Sequence, residues 1–169
     1  MAGIQPVNFP AGTVIFKEGD KADAVYFLES GSVEISRTDN GTKVVLAKLG
    51  KDAVFGEMAL IDKKPRSATV IALEATSGLK ADEAAFNGVL AKADPVAKEI
   101  MNRLVASVRE KNQNQKAQMS GADNALAATI KLKNEKLKND IMTNQVIQGK
   151  IAALDPFMVG LFNSLMKVL

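Results

Sequence analysis

The first 80 residues of the chain alternate apolar and polar side chains with a period of about two, which is typical of half-buried β-strands. The first such run contains Val14 and Phe16, and the turn-forming segment Glu18-Gly19-Asp20 ends it. The pattern predicts further strands over residues 24–29, 32–37, 43–49, 68–72 and 76–80. Together they predict a sheet structure that closes on itself, so that few strand edges stay exposed.

Two short polar segments indicate how these strands connect. Ser30-Gly31, between the runs 24–29 and 32–37, is a hairpin signal. Asp39-Asn40-Gly41 marks another turn before residue 43. We therefore expect tight turns between consecutive strands in this part of the chain.

From Asp82 onward the apolar spacing becomes helical. Asp82 is a suitable N-cap for a short helix, and Asp94-Pro95 begins a second one, because proline fits the first turn of a helix. Ile100, Leu104 and Val108 recur at four-residue spacing and form an apolar stripe on that second helix. The domain is therefore expected to carry helices over residues 82–115.

A third helical segment is predicted after the break at Met119-Ser120-Gly121, capped by Asp123 and running toward residue 148. Its apolar side is narrow and interrupted by amides. The residues on this seam are Ile130, Asn134, Leu137, Ile141, Asn144 and Gln148. Pairing with a second copy would bury the apolar positions and let the amides bond to one another. The seam therefore predicts a homodimer.

The last helix is predicted to begin at Asp155-Pro156 and is strongly amphipathic. Its apolar positions are Phe157, Met158, Leu161, Phe162, Leu165, Val168 and Leu169, and its polar positions are Asn163, Ser164 and Lys167. Docking on the same chain or on a dimer mate is the expected way to cover this surface. The alternatives are a target protein or a membrane surface.

The composition excludes several kinds of chemistry. The chain has no cysteine, so disulfides and thiolate sites are absent, and no histidine, so imidazole metal ligands and histidine bases are absent too. We expect no cofactor and no metal. No run reaches the roughly 20 apolar residues of a membrane span, and the first residues lack signal-peptide features, so a cytoplasmic location is expected.

The net charge of +3 belongs to the tail. Residues 1–110 carry 14 Lys and Arg against 15 Asp and Glu, a balance of −1, whereas residues 111–169 carry 8 against 4, a balance of +4. All eight of these tail cations are lysines, although arginine is the usual reader of guanine edges. Lysines scattered on a polar helix face are more often solubilising, so DNA binding is not expected.

Candidate chemistry is concentrated between Phe55 and Val70, in the segment FGEMALIDKKPRSATV. Glu57 follows a glycine and its carboxylate can accept hydrogen bonds from hydroxyls, whereas the planar fork of Arg66 suits a phosphate. A carboxylate and a guanidinium around one turn can hold a ribose and a phosphate together. The alternative is an ion pair without function, and such pairs contribute only about 0 to 1 kcal/mol.

This segment resembles the phosphate-binding cassette of the cyclic-nucleotide-binding domains, with FGE followed by AL and then PRSATV. The resemblance extends over about residues 9–115 and includes the strand-like segment 12–36. It implies an α+β fold, a double-stranded β-helix or jelly-roll-like β-roll followed by C-terminal helices. The domain would cover residues 1–115, with the roll to about residue 80 and hinge and lid helices over 82–115. Residues 116–169 would then form a helical extension for dimerisation or partner docking.

The resemblance also implies roles for individual residues. Glu57 corresponds to the residue that binds the ribose 2′-hydroxyl, and Arg66 to the one that neutralises the cyclic phosphate. Backbone and hydroxyl contacts are implied for the neighbouring positions Gly56, Met58, Ala59, Ser67 and Ala68. Asn112 and Gln113 are candidates for closing over the base, the alternative being solvated amides near a helix end.

The implied function is a non-enzymatic sensor of a cyclic mononucleotide that relays occupancy to an unknown effector protein. cAMP is the favoured ligand, and cGMP stays open because Ser67 suits either. The alternative is a scaffold whose roll has lost its ligand. The chain departs from the family in lacking a predicted helix before the roll, since Pro6 and Pro10 oppose one. It also lacks the helix-turn-helix segment of the related transcription regulators.

Overall fold

The computed structural model describes residues 3–119, 124–154 and 156–169, which form a β-roll followed by helices. The strands are β1 (Ile4–Phe9), β2 (Val14–Phe16), β3 (Ala24–Ser30), β4 (Val33–Asp39), β5 (Thr42–Leu49), β6 (Val54–Phe55), β7 (Thr69–Ala72) and β8 (Thr76–Asp82). The helices are α1 (Met58–Ile61), α2 (Glu83–Lys92), α3 (Pro95–Met119), α4 (Asn124–Thr143), α5 (Gln145–Ala152) and α6 (Pro156–Val168).

The strands form two four-stranded antiparallel sheets in the orders β1-β8-β3-β6 and β2-β7-β4-β5. The predicted α+β fold, a double-stranded β-roll followed by helices, is confirmed. The turn predicted at residues 39–41 joins β4 to β5, with Asn40 and Gly41 both at positive φ, as a tight two-residue hairpin requires.

Strand β3 shows how the sequence builds two cores. Ala24, Tyr26 and Leu28 point into the space between the two sheets and pack with Phe55 and Val70. Val25 and Phe27 point to the other face, where the helices pack on the first sheet. Because both faces are covered, β3 reads as a nearly continuous apolar run, with the two sets alternating as a strand requires.

The predicted hairpin at Ser30-Gly31 is wrong. β3 pairs with β6 and β8, whereas β4 pairs with β5 and β7, so this segment crosses from one sheet to the other. Gly31 is needed there for a different reason. Its φ is +79°, and a Cβ atom at this position would lie 2.5 Å from the side-chain oxygen of Thr76.

Sequence reasoning missed two strands. β1 begins at Ile4 and pairs along its whole length with β8. It is an edge strand, a place where a proline such as Pro6 is tolerated. The two-residue strand β6 was too short to show a period and directly precedes the candidate cassette.

The helices that follow the roll agree in part with the expectation. Asp82 caps α2 by accepting a hydrogen bond from the Ala85 N–H at 2.8 Å, as predicted. The helix predicted to run toward residue 148 is instead two helices. Asn144 lies between them and caps α5, accepting from the N–H groups of Val146 and Ile147. The predicted cap Asp123 and the break at residues 120–121 lie outside the described residues.

Three of the six residues of the predicted dimer seam are buried within the same chain, two are half-buried and Asn144 is exposed. Ile130, Asn134 and Ile141 are buried, and α4 packs along α3. The homodimer therefore stays a prediction, but the seam of α4 no longer supports it. No helix in the described ranges is long and apolar enough to cross a membrane.

Helix α6 docks on its own chain, one of the two coverings expected for it. Met158, Leu161, Phe162 and Leu165 are buried in the core cluster that also contains Val54. Ser164, predicted to face outward, is buried as well. Its hydroxyl oxygen accepts from the Val54 N–H at 2.8 Å and donates to the Gly160 carbonyl at 2.9 Å.

Candidate functional site

The candidate cassette connects β6 to β7 and folds over one end of the roll, where α1 provides its short helical turn. Gly56, between β6 and α1, has a φ of +84°, and a Cβ atom there would lie only 2.8 Å from Arg66 Nη1. Glycine meets both requirements, a left-handed backbone and close approach of the guanidinium. The FGE motif therefore places Glu57 and Arg66 on the same cavity.

That cavity has a volume of about 60 Å³, room for a few water molecules. All seven cassette residues predicted to contact a ligand line it: Gly56, Glu57, Met58, Ala59, Arg66, Ser67 and Ala68. The floor is apolar, with Ile35, Leu49 and Val70 from the roll. The structure thus brings the predicted residues together around one cavity.

Arg66 is 3% exposed and is held by backbone carbonyls. Its Nη1 donates to the Gly56 carbonyl at 2.6 Å and its Nη2 donates to the Ala24 carbonyl at 2.8 Å. The guanidinium carbon lies 4.0 Å from the centre of the Phe16 ring, a cation–π contact. Among the described residues, its buried Nε has no hydrogen-bond partner.

The charge of Arg66 is only weakly balanced. Its nearest carboxylate is Asp23, at 3.4 Å from Nη2, and the Asp23 side chain is largely exposed and also bonds to Lys80. A buried guanidinium with one unpaired donor and a weak, exposed counter-ion is suited to receive an anion.

Glu57 is 5% exposed and lines the same cavity. Burial raises the pKa of its carboxyl from the ordinary value of 4.5 to about 7, and the backbone N–H of Glu57 and the charges of Arg66 and Arg109 only partly oppose the rise. No ion pair joins Glu57 to Arg66 in the part of the chain that the structure describes. The functionless ion pair, the alternative left open by the sequence, is therefore not what these two residues form.

The raised pKa of Glu57 predicts a pH dependence of stability. The folded state holds the proton more tightly than the unfolded state, so this contribution is fully present below pH 4.5 and is lost as pH rises through about 7. We expect the free energy of unfolding to fall by up to about 3 kcal/mol over this window. Glu57→Gln should lack this slope. Urea unfolding between about pH 5 and pH 8 measures it.

Glu29→Gln, at an exposed carboxylate of β3, is the matched control and should keep the slope of the unsubstituted protein. A Glu57→Gln protein whose unfolding free energy keeps that slope would show that Glu57 is already ionised when buried, contrary to the expectation.

The two candidates for closing over the base have different positions. Asn112, near the C-terminal end of α3, lines the cavity beside Val108. Gln113 is exposed and lies on a separate groove with Asp62 and Lys64. The helical period separates these neighbours, so Gln113 does not share the position of Asn112 at the cavity.

Two arginines that sequence reasoning did not select connect α3 to the roll and the cassette. Arg37, buried on β4, pairs with Asp39 at 2.8 Å and donates to the backbone carbonyl of Asn112. Arg109 on α3 pairs with Asp62, the residue directly after α1, through an Nη2 to Oδ1 contact of 2.8 Å. The pair between Arg37 and Asp39 is local to β4, but the contacts that reach α3 form only through the fold, so no local motif marks them.

Helix α6 contributes a further wall that the sequence did not predict. Ser164 and Leu165 line the cavity although they lie about 100 residues beyond the cassette. No described group of three or more His, Cys, Asp or Glu side chains is placed to hold a metal ion. The site is therefore a pocket with one buried carboxyl group and one buried guanidinium, lined in part by two helices.

Two curated proteins whose names refer to cAMP are similar to this chain. A cAMP-activated global transcriptional regulator of Mycobacterium tuberculosis is 29% identical over 112 residues, 66% of this chain and 50% of the relative. A cAMP-dependent protein kinase regulatory subunit of Dictyostelium discoideum is 32% identical over 102 residues, 58% of this chain and 31% of the relative. The chain spans half or less of these two curated relatives.

Among solved structures, the EAL enzyme Bd1971 in its cAMP- and cyclic-di-GMP-bound form matches 86% of this chain with 34% identity and a TM-score of 0.60. The match covers 35% of that protein. The family model of the cyclic nucleotide-binding domain matches residues 6–93, more than half of the chain and the whole cassette. This chain belongs to the cyclic nucleotide-binding domain family.

Proposed function

We propose that the protein is a non-enzymatic sensor of a cyclic mononucleotide, with cAMP favoured over cGMP. The observation that carries the proposal is the convergence of a buried carboxyl group, Glu57, and a buried guanidinium, Arg66, on one cavity. Relatives and a structural neighbour named for cAMP support the ligand class. The neighbour also has a cGMP-bound form, so selectivity is a matter for measurement.

In this proposal Arg66 neutralises the cyclic phosphate and its unpaired Nε supplies one donor. Glu57 accepts from the ribose 2′-hydroxyl, and the ionised form accepts best. The N–H groups at the start of α1 and the hydroxyl of Ser67 complete the polar lining. The apolar floor and Asn112 of α3 would face the base.

Occupancy would reach the helices through the ion pair between Asp62 and Arg109. Asp62 directly follows α1, and Arg109 lies one helical turn before Asn112 on α3. A shift of the cassette around the ligand therefore changes a contact with α3. Coupling of this kind typically amounts to about 1 to 3 kcal/mol. The effector protein that would respond is not identified by these contacts.

Isothermal titration calorimetry with cAMP, cGMP and a cyclic dinucleotide tests the proposal. We expect a single site per chain with micromolar or tighter affinity for cAMP, weaker binding of cGMP, and no binding of the dinucleotide, which is too large for one cassette. Saturating cAMP should also raise the melting temperature, because a ligand that binds only the folded state stabilises it. Absence of binding for all three would refute the sensor.

The alternative is a scaffold with a roll that no longer binds ligand. The small cavity and the internal carbonyl contacts of Arg66 favour it, and it predicts the same melting temperature with and without nucleotides.

The homodimer, the absence of DNA binding and the cytoplasmic location stay predictions. Analytical ultracentrifugation tests the homodimer, and a titration with duplex DNA at increasing salt concentration tests the absence of DNA binding.

A further inference from the structure

Helix α6 lines the same cavity as the cassette. Leu165 is 1% exposed and forms part of the cavity wall together with Ser164. The helix approaches the roll closely at Gly160. A Cβ atom at this position would lie 3.2 Å from the Asp52 carbonyl oxygen and 3.3 Å from a methyl carbon of Val54. The seat of α6 is therefore beside β6, the strand that begins the cassette.

The cavity of about 60 Å³ is much smaller than a cyclic nucleotide, so a wall must move before one can enter. Two charged contacts tie α3 to the roll and the cassette, from Arg109 to Asp62 and from Arg37 to the Asn112 carbonyl. α6 is tied to the roll by apolar packing and by the neutral hydrogen bond between Val54 and Ser164. Lys111 Nζ also donates to the Leu169 carbonyl at 3.1 Å, so α6 is held by α3 as well. Release of α6 leaves the contact between Asp62 and Arg109 intact, whereas release of α3 breaks it, so α6 is the wall that yields.

We propose that α6 is a displaceable plug: its docking against β6 and binding of a cyclic nucleotide in the cassette exclude each other. The inference rests on the proposed function, because it concerns the same pocket. Nucleotide entry releases α6 and exposes its apolar face, formed by Met158, Leu161, Phe162 and Leu165. The released face is the structural difference between the empty and the occupied protein.

Exclusion has a thermodynamic consequence that can be measured. While α6 is docked the pocket is closed, so the apparent dissociation constant equals the intrinsic one divided by the fraction of molecules with α6 released. A substitution that prevents docking raises this fraction toward one. It must therefore strengthen nucleotide binding, although it adds no contact to the ligand.

Gly160→Leu is the substitution to use, because a Cβ atom there is already in tight contact with the Asp52 backbone and Val54, and the rest of the leucine side chain needs more room. Gly149→Leu in α5 is the matched control, since nothing lies within 4 Å of a Cβ atom there and the change in helix propensity is the same. We expect Gly160→Leu to bind cAMP about tenfold tighter by calorimetry and Gly149→Leu to bind as the unsubstituted protein does. Equal or weaker binding by Gly160→Leu would overturn the plug.

Hydrogen exchange on the unsubstituted protein tests the same idea without a variant. Saturating cAMP should reduce the protection of amides in α6 and of the Val54 N–H, whereas a ligand that simply rigidifies its site increases protection. Unchanged protection of α6 would refute its release. Increased protection would refute it too and would show that α6 closes over the ligand instead.

These results separate the two proposals. If neither the unsubstituted protein nor Gly160→Leu binds any cyclic nucleotide, the proposed function fails and the plug fails with it. If the unsubstituted protein binds but its α6 amides stay protected, the plug alone fails. Binding by Gly160→Leu in the absence of measurable binding by the unsubstituted protein supports both.

Discussion

Arg66→Ala is expected to weaken cAMP binding by about 100-fold or more, a loss of about 2.7 kcal/mol. Arg66 is the guanidinium that lines the cavity, and its Nε has no partner among the described residues. Alanine leaves the cyclic phosphate without a counter-charge in a site that burial has already shielded from water. Calorimetry with cAMP measures the change directly.

The substitution also removes two hydrogen bonds that Arg66 donates to the carbonyls of Gly56 and Ala24. We therefore expect a loss of about 1 to 3 kcal/mol in the free energy of unfolding, which leaves most small domains folded. Urea unfolding of the variant establishes this before affinity is measured. Only a folded variant is informative about the site.

Arg103→Ala is the matched control for Arg66→Ala. Arg103 is an exposed arginine of α3 whose partner is Glu99, one helical turn earlier. Its removal should leave cAMP affinity unchanged and alter stability by about 0.5 kcal/mol or less. If Arg66→Ala bound cAMP as well as Arg103→Ala does, the assignment of the cyclic phosphate to Arg66 would be wrong.

Gly78→Ala is expected to be the most destabilising single methyl addition in the roll. Gly78 lies on β8 between β1 and β3, opposite Val7 and Leu28. A Cβ atom there would lie 2.1 Å from the backbone carbonyl oxygen of Phe27, a contact that no side-chain rotation relieves. β8 must therefore separate from β3, and we expect a loss of about 3 kcal/mol or more in the free energy of unfolding.

Gly88→Ala provides the opposite expectation for the same chemical change. Gly88 is exposed on α2, and nothing lies within 4 Å of a Cβ atom at that position. Alanine should raise the free energy of unfolding by about 0.5 to 1 kcal/mol, because it lowers the conformational entropy of the unfolded chain and has a higher helix propensity than glycine. Urea unfolding of both variants measures the difference, and equal stabilities would show that β3 and β8 are less closely paired than the structure has them.

The cassette could be picked out from the sequence because its chemistry is local. Gly56, Glu57 and Arg66 lie within eleven residues of one another. One stretch of chain therefore shows the glycine, the acid and the guanidinium together. The N-cap Asp82 and the turn at Asn40-Gly41 are local for the same reason. Each depends on backbone geometry within a few residues, which the residue type itself constrains.

The pairing of strands was not readable from the same pattern. Alternation shows that residues 24–29 and 32–37 are strands, but the same alternation fits a hairpin and a crossing between sheets. Asn144 shows the corresponding limit for helices. Its place on the apolar seam suggested a helix interior. Its side chain instead accepts hydrogen bonds from two backbone N–H groups and caps the start of α5.

The sequence by itself determined that this chain forms a β-roll with a cassette in which one acid and one arginine meet. Only the tertiary structure decided that α3 and α6 cover the cavity and that Arg37, Arg109, Ser164 and Leu165 take part. It also decided that Ile130, Asn134 and Ile141 of α4 are buried within one chain. An apolar stripe predicts that a helix face will be covered, but it does not predict which surface covers it, because the hydrophobic effect is non-directional.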